Sequence, residues 1–189
     1  MRPLPTEDPW PPGELRRIYL HWTADDYTKI FSAYHFCIGL DGAGRPAVFA
    51  THSLQANMRE LLGAAPGTYA AHTAGRNSYA IGLAICGMRG ATPQAFGQYP
   101  LREDLIELGC ATVARLCAFY AIALDEHHVR THAEAALEDG YYGAGPDERW
   151  DIARLEPSPR PLDEGEARRT GDLLRARARE QAASLRSLR

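Results

Sequence analysis

Residues 79–86, Tyr-Ala-Ile-Gly-Leu-Ala-Ile-Cys, carry no charge and none of the apolar–polar alternation of a half-exposed strand. A strand of that kind is satisfied only when both faces are covered, so it is expected at the centre of a sheet, ended by Gly87. Shorter runs supply its neighbours. Residues 17–22, RIYLHW, are aromatic and branched and stop at Thr23-Ala-Asp-Asp. Residues 34–40 stop at the turn dipeptide Asp41-Gly42, and 46–50 can return as the second arm of a hairpin. Residues 129–131 form a brief strand. Between 101 and 124, Leu105, Leu108, Ala111, Val113, Leu116, Ala118 and Phe119 fall near helical spacing, with Glu103, Asp104 and Glu107 in the first turns. A short helix is expected over 57–62. The pattern as a whole reads as an α/β fold: one central mixed sheet of five or six strands flanked by helices, with a cleft at the sheet edge.

Three segments follow from this reading: a proline-rich extension over 1–14, a compact domain over 15–160, and a charged helix over 161–189 packed by a thin stripe at Leu173 and Leu174. A chain of 189 residues with 45% apolar content has room for one domain with a real core. The net charge of −3 is spread without a basic patch, which argues against nucleic acid or an anionic membrane as partner. No stretch approaches the length of a membrane span. Glu7 and Asp8 interrupt the place where a signal peptide would be apolar, so synthesis in the cytoplasm is expected. Cys37, Cys86, Cys110 and Cys117 lie in apolar surroundings without close pairing and are expected as buried, reduced thiols.

The chemistry sits at strand ends. His21 and His132 each close a predicted strand, where side chains from separate strands converge, and Asp151 follows on a loop. Two imidazoles and a carboxylate suit a catalytic zinc, which keeps its fourth position for water. Asp139 and Asp147 are rival carboxylates. His35 is expected in the core, and His52, His127 and His128 are given no part in the site.

Four blocks around these residues match one family in order: Ile18-Tyr-Leu-His-Trp-Thr-Ala24; Tyr34-His-Phe-Cys-Ile-Gly-Leu-Asp-Gly42; Ala71-His-Thr-Ala-Gly-Arg-Asn-Ser-Tyr-Ala-Ile-Gly-Leu83; and Thr131-His-Ala-Glu134 with Arg149-Trp-Asp151. The sequence resembles the zinc-dependent N-acetylmuramoyl-L-alanine amidases, which share a fold with the peptidoglycan recognition proteins. The resemblance implies Zn²⁺ held by His21, His132 and Asp151. It places Tyr34 beside the zinc-bound water, Arg149 where the family commonly has lysine, and His72 and Asn77 at the wall of a substrate cleft. Arginine keeps the charge but cannot give up a proton at working pH, so Arg149 is expected to act electrostatically. Two departures stand out. Ala84 occupies the position of a glutamate general base found in many members, a feature shared with the phage-lysozyme branch. The segment from His21 to Tyr34 is also shorter than usual, and Lys29-Ile-Phe31 is expected to cover part of the wall.

The expected activity is hydrolysis of the amide between N-acetylmuramic acid and L-alanine in peptidoglycan, by a monomer acting as a phage or prophage endolysin. A cytoplasmic amidase recycling muropeptides, a peptidoglycan-binding protein without activity, and an amidase for an unrelated acyl compound remain open, because fold and site do not fix a substrate.

Overall fold

The computed structural model describes residues 10–187, so most of the proline-rich lead-in and the last two residues lie outside the described part. Five strands form one mixed sheet: β1 (Arg17–Trp22), β2 (Phe36–Leu40), β3 (Pro46–Ala50), β4 (Ala80–Ile85) and β5 (Val129–Thr131), in the order β3-β2-β4-β1-β5. Only the β2–β3 hairpin is antiparallel; β4 pairs in parallel with β1 and β2, and β5 in parallel with β1. Every residue of β4 is buried, as its unbroken apolar sequence requires. Among the described residues three α-helices complete the domain: α1 (Glu103–Tyr120), α2 (His132–Asp139) and α3 (Glu164–Ser187). None is long and apolar enough to cross a membrane.

The two faces of the sheet are built differently. Ile18, Leu20, Trp22, Phe36, Ile38, Ile81, Leu83, Ile85 and Val129 meet Leu105, Val113 and Leu116 of α1 and Leu174 of α3 in the main core. The other face carries Tyr19 and His21 on β1, beside Ala80, Gly82 and Ala84 on β4. Small residues leave room there for loop side chains. At Gly82 the room is essential, since a Cβ would stand 2.4 Å from the His72 ring.

Sequence expectations meet three corrections. The helix expected over 57–62 is a 3-10 turn over Leu54–Asn57. Asn57 takes its side chain into the loop instead: Nδ2 donates to the Ala70 and Asn77 carbonyls, and Oδ1 accepts from the Ala70 amide and from His35 Nε2. The main helix is shorter than 101–124, because Ala121 turns left-handed at φ 55° and caps it. On α3 the stripe runs through Ala167, Thr170, Leu174 and Ala178, while Leu173 is 45% exposed. Helix α2 is an addition that the sequence reading lacked. All four cysteines are buried and free, and burial pushes the thiols of Cys110 and Cys117 up to about 12.

Candidate metal centre

Parallel pairing brings the two histidines together. Leu20 is in register with Thr131, so His21 and His132 are the next residues along two adjacent strands. Beyond Thr131 the chain turns into α2 under a capping box: Thr131 Oγ1 accepts from the Glu134 amide, and a Glu134 carboxylate oxygen accepts from the Thr131 amide. His132 is thereby fixed at the first position of a helix. Asp151 arrives from the loop after α2, and its carbonyl accepts from the Ala133 amide at 3.0 Å, which joins the two ligand-bearing segments. The next residue, Ile152, is fully buried at φ 60°, a conformation that a β-branched side chain adopts only when its surroundings force it.

Three donor atoms converge at this point. His21 Nδ1 lies 3.1 Å from His132 Nδ1 and 3.5 Å from Asp151 Oδ2, and His132 Nδ1 lies 3.2 Å from the same oxygen. Donors bound to zinc at ~2.0–2.1 Å with tetrahedral angles stand roughly 3.3–3.4 Å apart, so the triangle has the size of a zinc site. The donor set fits the ion in charge as well. Burial lowers the pKa of His21 to about 4, against the pull of Asp151, so its ring is neutral at pH 7. Burial would raise the Asp151 carboxyl, but hydrogen bonds from His132 and His21 outweigh it and hold the group well below the carboxylate range. The rival carboxylates are occupied elsewhere or turned outward: Asp139 forms a bidentate pair with Arg76 at 2.6 Å, and Asp147 is exposed.

The surrounding residues fall into two groups. The Tyr34 ring lies 5.1 Å from the His21 ring, and its hydroxyl donates to the Trp22 carbonyl at 3.3 Å. Burial, reinforced by Asp151, keeps the phenol well above its ordinary pKa, so it holds its proton. Ala84 sits opposite His21 in register and packs in an apolar cluster with Cys37, Cys86, Ile30 and Tyr34. Arg149 is exposed, and its guanidinium donates to the Pro146 and Glu148 carbonyls of its own loop.

His72 lies 5.4 Å from His21 ring to ring, and Thr73 stands between them: its Oγ1 is 3.0 Å from His72 Nδ1 and 3.4 Å from His21 Nε2. Asn77 Oδ1 accepts from the His72 and Thr73 amides, both at 3.0 Å, so this oxygen holds the loop itself. On the other side the Tyr141 hydroxyl lies 3.4 Å from His132 Nε2. Tyr141 also borders a polar cleft of about 800 Å³ whose lining includes Arg17, Arg76, Arg130, Glu138 and Asp139.

No family model matches the chain, and no curated protein sequence matches it. Among solved structures, similarity is found to a complex of the N-acetylmuramyl-L-alanine amidase AmiD from E. coli with the substrate anhydro-N-acetylmuramic acid-L-Ala-D-gamma-Glu-L-Lys. The identity is 19% and the TM-score 0.39, over 69% of this chain and 52% of that one. The chain therefore spans about half the length of that protein. At that identity and score the likeness carries neither site nor substrate to this chain.

Two of the remaining histidines have structural settings. His35 is buried, accepts from the Gly82 amide at Nδ1 and donates from Nε2 to Asn57; burial lowers its pKa to about 3. His128 pairs with Asp125 in the turn before β5. Thr73, Tyr141 and Asn57 escaped the sequence reading. Only the Thr-x-x-Glu spacing at 131–134 gave a local signal that could have revealed α2.

Proposed function

We propose that the chain is a zinc-dependent amidase that cuts the bond between the lactyl group of N-acetylmuramic acid and L-alanine in peptidoglycan. The observation that carries this reading is the convergence of His21 Nδ1, His132 Nδ1 and Asp151 Oδ2 within 3.5 Å, from three separate segments. The ordered sequence blocks around those residues supply the substrate class. A bound zinc would polarise the scissile carbonyl and lower the pKa of water toward ~7.

The chain's own residues do the rest. Tyr34 keeps its proton beside His21 and so acts as a hydrogen-bond and proton donor, toward the developing oxyanion and the departing amine. A phenol that holds its proton cannot serve as the base that Ala84 lacks; the proton it gives the departing amine is made good by the one the attacking water loses. Arg149 contributes positive charge from the rim; Tyr34 and Tyr141 both feel that charge. His72 and Asn77 shape the wall by holding the loop, and the Asn77 amide NH₂ remains as a donor to substrate carbonyls.

The absent carboxylate together with the retained tyrosine favours an endolysin acting on intact wall. Amine release by the zinc-loaded protein is the test, using intact sacculi and soluble anhydro-muropeptides in parallel. The expected result is free alanine amino groups from sacculi, and none with His21→Ala. Cleavage confined to soluble fragments would replace the endolysin reading with a recycling one. Binding without amine release would leave a recognition protein.

A further inference from the structure

We propose that Thr73 and Tyr141 are positioning residues for the two imidazoles: their hydroxyl oxygens accept from the Nε2–H of His21 and His132, so that both rings present Nδ1 to the metal. The inference rests on the metal reading above and adds the residues that set each ring's tautomer.

The geometry is the same on both rings. Each Nδ1 faces the cluster and each Nε2 faces a hydroxyl at 3.4 Å, and the two hydroxyls come from unrelated segments, one before β4 and one after α2. Without metal, the contacts of His132 Nδ1 and His21 Nδ1 with Asp151 need a proton on that side; when a metal takes the Nδ1 lone pair, the single proton of each neutral imidazole sits on Nε2, where a hydroxyl oxygen accepts it. On the His21 side the direction of the chain of donors can be followed further. Thr73 has one proton, and His72 Nδ1 is the partner at 3.0 Å. His72 Nε2 is buried without a hydrogen-bond partner, and a proton on that nitrogen leaves Nδ1 as an acceptor. His72 Nδ1 then accepts from Thr73, and the Thr73 oxygen is left to accept from His21.

Both hydroxyls are themselves well placed. The amide of Thr73 is tied to Asn77, and Arg76 clamps the loop onto Asp139 at the end of α2. Tyr141 follows the left-handed Gly140 cap, with its amide donating to the Ala136 carbonyl and its carbonyl accepting from the Arg149 amide.

The test is the zinc dissociation constant of the folded full-length chain, by competition with a chromophoric chelator at neutral pH. Thr73→Val and Tyr141→Phe are each expected to weaken zinc binding by about tenfold or more, while Thr73→Ser stays near wild type. Nitrogen-15 NMR of the zinc-loaded wild type is expected to place the remaining proton of both His21 and His132 on Nε2. Affinities of Thr73→Val and Tyr141→Phe within twofold of wild type, or a proton on Nδ1 of either ring, would overturn the proposal while leaving the metal reading intact. A wild-type chain that takes up no zinc would overturn both.

Discussion

At the residue scale, the site depends on a few groups whose chemistry is fixed by where burial puts them. His21 is neutral because it is buried, Asp151 is ionised because two imidazoles face it, and burial holds the Tyr34 proton well beyond the pH at which a phenol ordinarily ionises. Tyr34→Phe is therefore expected to lower kcat for amine release by about a hundredfold with little change in zinc content, as removal of a proton donor should. Asn57 serves the fold and not the chemistry. Its side chain joins His35, Ala70 and Asn77, and Asn57→Leu would strand several buried polar groups, with an expected loss of about 3 kcal/mol in urea denaturation. The three candidate ligands could be read from the sequence because two end short strands and the third sits in an Arg-x-Asp block. Thr73, Tyr141 and Asn57 could not, because a hydroxyl or amide gains its role from a loop path that no periodicity encodes.

At the scale of elements, the strands, the β2–β3 hairpin and the central position of β4 follow from apolar patterning and a turn dipeptide, which is why they were legible. Helix α2 was not, since eight residues with three alanines and little apolar contrast give no clear period. What fixes α2 is its capping box and the buried Arg175 of α3, which forms a bidentate pair with Glu134 at 2.8 and 3.0 Å and also donates to the Val129 carbonyl. The C-terminal helix therefore braces the turn that carries His132. Arg175→Met should cost about 3 kcal/mol by leaving Glu134 without its partner. Adding Glu134→Gln should recover part of that loss, because glutamine keeps the cap. A second test concerns the loop-covered face of β4: Gly82→Ala drives a methyl into the His72 ring and is expected to cost about 1–3 kcal/mol. Thermal or urea unfolding reads both.

At the scale of the whole molecule, three buried histidines couple folding to pH. Burial lowers His21 to about 4, His35 to about 3 and His72 well below its usual value, whereas each titrates near ~6.5 when unfolded. The unfolded chain thus binds more protons than the folded one below that pH, and stability falls as pH drops. The slope is about 1.4 kcal/mol per pH unit for each group. For the zinc-free chain, the urea midpoint should be flat above pH 7 and fall steeply from pH 6 to 5; an unchanged midpoint over that range would contradict the burial argument. The same network of buried rings surrounds the proposed metal, so stability and metal uptake should be lost together in acid. The claim on which the rest depends is that His21, His132 and Asp151 hold one zinc. Elemental analysis of purified, dialysed protein tests it most directly: one zinc per wild-type chain and substoichiometric zinc in His132→Ala are expected, and equal zinc in the two, or none in the wild type, would contradict it.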